Sequence, residues 1–283
     1  MTKIPKRRTM TLIETKDLIK FRGNDRVLDG ISFKLNNGAL YGVLDPVGNQ
    51  KSTLLALLAG AILPDEGAVK INGFNTKSER VRACASVGYF PKTLLPYADM
   101  TPEEYLLAIA EAKGVDFEVS LRDTNDLIDA LDLRGRKKTL CKHLTLPECK
   151  RLCLAQALIG APDILIVDEP NLSLSDRDAR DLIDRIYSLS EDKTLFFGSK
   201  SLSVLRAICD SVILLSNGKL VGVYSANDEL LTTLYNDLCA QNHLAQDSDA
   251  QTVGIFRKKR SVRRTARPQP ERDGKYELID DDK

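Results

Sequence analysis

The sequence predicts an α/β fold in which a mixed, mostly parallel sheet is combined with an antiparallel β subdomain and an α-helical insertion. Three observations support this. A short apolar strand at 40–44 runs through a turn directly into an apolar helix. A continuous apolar strand at 163–168 is typical of a strand buried in a parallel sheet. Strands and helices then alternate to residue 239, the order that builds a parallel sheet.

The composition is that of an ordinary globular chain. Its 283 residues, 43% apolar and 29% charged, are enough for one large domain or two modest ones. A net charge of +1 gives no overall attraction to nucleic acid, so we expect no nucleic-acid partner. No apolar run approaches the ~20 residues of a membrane span, and no apolar signal segment follows the basic N-terminus. We expect a cytoplasmic protein that touches a membrane only through a partner.

The first half of the chain is predicted to start with a basic leader at 1–10, followed by strands. Asn36, Asn37 and Gly38 form a turn signal between two of these strands. After the helix that follows residues 40–44, the pattern predicts a strand at 68–71, a short helix at 77–83 and a strand at 87–90.

The middle of the chain is predicted to be helical. Thr101, Pro102 and Glu104 provide a cap, a proline at the first helical position and a glutamate at N3, which together form a capping box. Helical patterns continue to about residue 133 with a break at Gly114, and another helix is predicted at 147–160. The helical insertion therefore covers about 93–160.

The rest of the chain is predicted to complete the sheet. The expected elements are helices at 176–189 and 202–209, strands at 194–199, 211–216 and 219–224, and a last helix that Ser225 caps and that ends near residue 239. Residues 241–283 hold a basic cluster, prolines and an acidic end without a core-forming pattern. They are predicted to be disordered, with contact to anionic lipid or RNA as the alternative.

Six cysteines are scattered through the chain. Cys141, His143, Cys149 and Cys153 lie close together in sequence, so a zinc site is conceivable. Their spacing fits no common zinc motif. Reduced, packed cysteines are the favoured interpretation.

Residues 40–60 have the layout of a P-loop, whose usual pattern is G-x-x-x-x-G-K-[ST]. Asp45 and Gln50 stand where the two glycines are expected. Asp45 would bring a carboxylate towards a polyanion, and Gln50 would put a side chain beside the β-phosphate. The retained residues are Gly48, the cationic Lys51, the Mg²⁺-binding hydroxyl of Ser52, and Thr53.

A second constellation follows the predicted strand at 163–168. Asp168 ends this strand and Glu169 and Pro170 follow it. A carboxylate at this place beside a P-loop can hold Mg²⁺, and a second one can orient or deprotonate an attacking water. A capped strand end is the alternative. We therefore predict Ser52 and Asp168 as metal ligands and Glu169 as a catalytic residue.

Taken together, these segments resemble an ATP-binding-cassette (ABC) ATPase, the nucleotide-binding subunit of a transporter, over roughly residues 11–235. The resemblance implies an ABC-type P-loop NTPase fold in a domain at 11–240, with ATP and Mg²⁺ as cofactors. It also implies two partners: a membrane permease subunit and a second ABC ATP-binding subunit, in a homodimer or a heterodimer. The chain would then lie on the inner face of the cell membrane through the permease.

The resemblance also assigns roles to residues. Phe21 lies where the family's adenine-stacking aromatic would be, although a surface strand residue is an equal alternative. The nucleotide-binding set is then Phe21, Asp45, Gly48, Gln50, Lys51, Ser52 and Thr53. Lys92 stands at the Q-loop glutamine and Lys200 at the switch histidine, which places both with Glu169 near the γ-phosphate as the predicted catalytic set.

Two further motifs depart from the family pattern. The signature LSGGQ reads Leu-Thr-Leu-Pro-Glu at 144–148, and Ser175 stands at the D-loop aspartate. Since most changes fall on phosphate-facing motifs, we expect an ABC subunit that couples nucleotide binding to a permease with impaired hydrolysis. The alternative is a non-catalytic pseudo-ATPase that forms a structural or regulatory half of a heterodimer. A soluble ABC protein acting on ribosomes or DNA is less well supported.

Overall fold

The computed structural model describes residues 11–48 and 50–242, and the chain within these ranges forms two β-sheets surrounded by helices. The strands are β1 (Thr11–Arg22), β2 (Asp25–Asn36), β3 (Leu40–Leu44), β4 (Glu66–Ile71), β5 (Phe74–Asn75), β6 (Val87–Phe90), β7 (Ile164–Asp168), β8 (Thr194–Ser199), β9 (Ser211–Ser216) and β10 (Lys219–Ser225). The α-helices are α1 (Gln50–Leu58), α2 (Arg80–Cys84), α3 (Pro102–Ala112), α4 (Phe117–Ala130), α5 (Leu146–Leu158), α6 (Asp176–Leu189), α7 (Leu202–Ile208) and α8 (Glu229–Gln241). The predicted leader at 1–10 and the predicted tail from residue 243 onward lie outside the described residues.

The larger sheet has the strand order β10-β9-β3-β8-β7-β6. Its members from β9 to β6 are parallel to their neighbours, and β10 is antiparallel to β9. Leu44 pairs with Ser199, and Asp168 pairs with Gly198. The ends of β3 and β7 therefore lie at one edge of the sheet on either side of β8. The predicted mixed, mostly parallel core is confirmed.

The smaller sheet is antiparallel, as predicted, with the order β2-β1-β4-β5. The turn at 36–38 does not close a hairpin, because β2 and β3 belong to different sheets. The Tyr41 hydroxyl instead secures this crossing by donating to the Asn36 carbonyl at 3.0 Å and accepting its N–H at 3.1 Å. The hairpin of the region lies between β1 and β2, where Gly23 has a φ of +61°.

Two apolar clusters pack on opposite faces of the larger sheet, because successive side chains of a strand point to opposite sides. In β7, Ile164 and Ile166 face α1 and the antiparallel sheet, while Leu165 and Val167 face the helices on the other side. All five residues of β7 are buried. The strand that carries Asp168 is therefore held rigidly from both faces.

The helical stretch between β6 and β7 contains α3, α4, two short 3₁₀ turns and α5. The predicted capping box is confirmed: the Thr101 N–H donates to Glu104 Oε2 at 2.8 Å, and the Glu104 N–H donates to Thr101 Oγ1 at 3.3 Å. Gly114, with a φ of +71°, follows the end of α3. The predicted break in the helical pattern therefore falls between α3 and α4.

Two predicted boundaries were wrong. The short second helix begins at Arg80 rather than at residue 77. Ser225 does not cap the last helix, because it pairs with Ser211 as the last residue of β10. Asp228 takes that role, and its carboxylate accepts the Leu230 N–H at 2.9 Å. The last helix also continues to Gln241, one residue into the segment predicted as a disordered tail.

The cysteines are all free, and burial raises the pKa of Cys141 to about 11 and that of Cys153 to about 12. Over residues 11–48 and 50–242, no three His, Cys, Asp or Glu side chains are grouped in a way that could hold a metal ion. The burial of five of the six cysteines supports the interpretation that they are packed, reduced thiols. No helix in these ranges combines the length and the apolar character needed to cross a bilayer.

Candidate nucleotide-binding site

The loop between β3 and α1 closes on its own carboxylate. Asp45 is fully buried and accepts three backbone N–H groups of the loop and the first turn of α1. The donors are Gly48 at 2.9 Å, Gln50 at 2.7 Å and Lys51 at 3.3 Å. Backbone N–H groups at this place are the ones that cradle phosphate in a P-loop. The carboxylate predicted to face a polyanion has turned inward instead and binds these donors itself.

Gln50 covers the same carboxylate. With its amide nitrogen directed at Asp45, the orientation that satisfies both groups, Gln50 donates to the two carboxylate oxygens at 3.2 and 2.6 Å. Its side chain lies so close to Gly48 that a Cβ there would come within 1.8 Å of the Gln50 amide. The Gln50 side chain therefore occupies the space beside Gly48 and would have to move aside for a Cβ there.

Glu169 holds two lysines at once. Lys51 Nζ is paired with Glu169 Oε1, and Lys92 Nζ lies 2.7 Å from Oε2. The Lys51 side chain is completely buried, and the Glu169 side chain is 9% exposed. Burial by itself would raise the pKa of Glu169, but the hydrogen bonds and charges of the two lysines hold it below its usual value. The predicted base is thus an ionised carboxylate already bound to two cations.

Ser52 and Asp168 have the features of a magnesium site. Ser52 Oγ and Asp168 Oδ1 are both buried, and neither makes a hydrogen bond of ordinary geometry. Burial raises the pKa of Asp168, while the nearby Ser52 hydroxyl and Lys51 oppose that rise. Hydroxyl and carboxylate oxygens are the ligands that Mg²⁺ prefers. The two predicted ligands therefore fit the ion.

Next to Phe21, the residue predicted to stack on adenine, the structure shows a contact that the sequence did not reveal. Arg22 donates to Thr53 Oγ1 at 3.2 Å, which brings a cation from β1 onto α1. The Phe21 ring is 36% exposed and lies 5.5 Å from the Arg26 guanidinium, and its role in stacking stays a prediction. The only sequence signal for Arg22 was its position directly after Phe21.

Lys200 and Ser175 stand apart from the Glu169 cluster. Lys200 is exposed just after β8, and no described residue forms a hydrogen bond or ion pair with its side chain. Ser175 caps α6, and its hydroxyl accepts the Asp178 N–H at 3.2 Å. The structure brings Lys92 to Glu169 but leaves Lys200 outside this cluster.

The N-terminus of α5 also carries its own carboxylate. Glu148 accepts the Thr145 N–H at 2.8 Å and the Thr145 hydroxyl at 2.9 Å, and its other oxygen pairs with Arg136 at 2.8 Å. Further along the helix, buried Lys150 donates to the Lys92 carbonyl at 3.2 Å. Lys150 thereby connects α5 to the segment that presents Lys92 to Glu169.

Comparison with known proteins identifies the family of the chain. The ABC transporter family profile matches residues 28–172, more than half of the chain. The bacitracin transport ATP-binding protein BcrA of Bacillus licheniformis is 30% identical over 216 residues, covering 75% of this chain and 69% of that protein. The linearmycin resistance ATP-binding protein LnrL of Bacillus subtilis is 22% identical over 245 residues, covering 86% and 78%.

The fold is that of solved ABC cassettes. A structure of an ATP-binding subunit of an ABC transporter superposes with a TM-score of 0.70 at 23% identity and covers 82% of this chain and all of that one. Members of this family bind ATP or ADP, generally with Mg²⁺. Ser52 lies in the first turn of α1 and Asp168 at the end of β7, and their role as ligands of that ion stays a prediction. The chain belongs to the ABC transporter family, as an ATP-binding subunit.

Proposed function

We propose that this chain is the ATP-binding subunit of an exporter-type ABC transporter, that it couples nucleotide binding to a separate membrane permease, and that its own hydrolytic step is impaired. Family membership supports the coupling to a permease. The names of BcrA, a bacitracin transport protein, and LnrL, a linearmycin resistance protein, support an exporter. The proposed location is the cytoplasmic face of the cell membrane, through the permease.

One observation carries the proposal of impaired hydrolysis: Glu169 is bound to Lys51 and Lys92. A general base must be free to accept a proton, and its efficiency falls as its pKa falls below the working pH. A carboxylate held by two cations meets neither condition. When bound, Mg²⁺ would neutralise phosphate charge at Ser52 and Asp168. Lys51 must still leave Glu169 before it can reach a phosphate.

The second ABC subunit is either a second copy of this chain or a different cassette. In this family the signature end of one subunit faces the nucleotide of the other. Here that end is α5, whose first turn holds Glu148 and whose second residue, Pro147, has no N–H. A different cassette with an intact signature would give this chain's loop a better partner than a second copy would.

A non-catalytic pseudo-ATPase is the second candidate. The observation that favours it is the fully buried Asp45 carboxylate inside the loop. On this alternative the chain supplies the permease contact and the dimer interface, while any hydrolysis takes place in a partner cassette.

The test is to purify the tagged full-length chain from detergent-solubilised membranes and identify what co-purifies. We expect a polytopic permease, and ribosomal proteins in its place would contradict the proposal. The ATPase rate of the captured complex is then compared between wild type and Glu169→Gln. A change below about twofold supports impaired hydrolysis here. A loss of the ~100-fold or more that removal of a working catalytic group produces would show that Glu169 is an active base.

A further inference from the structure

We infer that Asp45 is a built-in ligand of the phosphate-binding loop: its carboxylate takes the place of a nucleotide β-phosphate and keeps the loop closed to nucleoside di- and triphosphates. The inference deepens the proposed function, because it concerns the same nucleotide site. It names what fills that site when no nucleotide is bound.

The hydrogen bonds of Asp45 define this place. A P-loop binds phosphate because consecutive N–H groups and the start of a helix converge on one anion. In this chain the N–H groups of Gly48, Gln50 and Lys51 converge on Asp45 at 2.7–3.3 Å. Hydrogen bonds to a charged acceptor are about twice as strong as neutral ones. The loop therefore has an anion bound at its centre before any nucleotide arrives.

The side chain of Gln50 is an independent second observation. The side chain folds back over Asp45 and donates to both carboxylate oxygens. It passes close over Gly48, so that a Cβ there would displace the Gln50 amide. The two residues that replace the P-loop glycines thus bind each other. One supplies the anion and the other covers it.

Lys51, the cation of the loop, is already paired with a carboxylate. Lys51, which reaches the β- and γ-phosphates in a working P-loop, is bound to Glu169. A nucleotide that brings a β-phosphate must displace Asp45 from the N–H groups. The displaced carboxylate, now fully buried, would then lie beside a polyanion, where like charges repel. The loop is therefore closed by competition and not by the loss of its donors.

The experiment is calorimetric titration of the purified full-length chain with Mg-ADP, in three forms. The first is wild type, and the second is the double variant Asp45→Gly with Gln50→Gly. The third, Asp116→Gly, is a matched control: Asp116 caps α4 by accepting the Glu118 N–H at 3.0 Å, far along the chain from the loop. It loses the same carboxylate from a helix N-terminus, but outside the site.

We expect the double variant to bind Mg-ADP about 100-fold more tightly than wild type, because the apparent affinity is reduced by the fraction of loops that are closed. The control should bind as wild type does. Equal affinity of the double variant and wild type, with both folded by circular dichroism, would overturn the inference. So would micromolar binding by wild type that the double variant does not improve.

A second variant protects the test against misfolding. Asp45→Asn keeps the shape of the side chain but removes its charge, and we expect an affinity about 10-fold above wild type. The melting temperature should rise with Mg-ADP in the variants more than in wild type, since a ligand that binds only the folded state stabilises it. No change in either readout would reject Asp45 as the occupant. These measurements need no permease, so they can fail while the proposed transport function stands.

Discussion

The N-termini of α1 and α5 are the two helix ends that we propose to face phosphate in a dimer with a second cassette, and each holds a carboxylate of the chain itself. At α1, Asp45 is fully buried and binds three backbone N–H groups. At α5, Glu148 accepts the N–H and the hydroxyl of Thr145 and pairs with Arg136; the Glu148 side chain is 13% exposed and that of Arg136 is 46% exposed. A carboxylate therefore lies at both helix ends, in the core at α1 and nearer the surface at α5.

This difference decides what each carboxylate can do. Glu148 is partly exposed and its partner Arg136 is exposed, so displacing Glu148 costs less than displacing the fully buried Asp45. Asp45 has no solvent to move into, and its release would leave a buried charge without a partner. We therefore expect α1 to resist ligands and α5 to adapt to a partner. The following substitutions test this from the largest expected effect to the smallest.

Asp45→Ala should lower the free energy of unfolding by about 3 kcal/mol, because three backbone N–H groups lose a fully buried charged acceptor. Denaturant unfolding followed by circular dichroism measures it. Asp116→Ala, a capping residue at the surface end of α4, should cost only about 1 kcal/mol. Equal losses in the two variants would mean that Asp45 is an ordinary helix cap.

Glu169→Gln should lower the free energy of unfolding by about 2 kcal/mol at neutral pH, because it leaves the buried Lys51 without a counter-charge. The pKa of Glu169 is lowered in the folded state, so its stabilising contribution is complete above its ordinary pKa and is lost as the pH falls through the folded-state value. The gap between wild type and variant should therefore close on acidification below about pH 4. A gap that stays constant with pH would contradict the ion-pair role.

Glu148→Ala should cost about 1 kcal/mol or less, since it removes one cap and one exposed ion pair. Glu104→Ala is the matched control, because it opens the same kind of capping box at the start of α3. The two losses should agree within a few tenths of a kcal/mol in thermal unfolding. A loss at Glu148 as large as that at Asp45 would remove the contrast between the two helix ends.

Arg22→Ala should change the free energy of unfolding by less than about 0.5 kcal/mol, because Arg22 is exposed and makes one hydrogen bond, to Thr53. Its effect should appear on binding instead. In the double variant Asp45→Gly with Gln50→Gly, we expect its loss to weaken Mg-ADP binding about 10-fold, the size of one hydrogen bond to a charged group. Calorimetry measures both affinities, and unchanged binding would show that Arg22 only packs against α1.

Much of the site could be located from the sequence because its parts are local. The apolar run of β7 ending in Asp168 and Glu169, and the Lys51-Ser52 pair that opens α1, are contiguous patterns with one structural interpretation. The turn at 36–38 was placed correctly but joins strands of different sheets, since a turn motif does not specify which strands pair. The prediction that Ser225 caps the last helix was wrong, and Asp228 takes that role; Ser and Asp both suit an N-cap, so residue type alone does not identify the capping position.

By itself, the sequence determined the order of strands and helices and the family, and it predicted the positions where the phosphate-facing motifs have changed. Hydrophobic period and motif spacing are properties of neighbouring residues. Only the tertiary structure decided that Asp45 turns into its own loop and that Lys92 reaches Glu169. It also decided that Arg22 meets Thr53 while Lys200 stays exposed. These contacts join residues that are distant in sequence, so they depend on which segments the sheet brings to one edge. Where water is excluded, a buried charge must pair with the nearest group that can satisfy it.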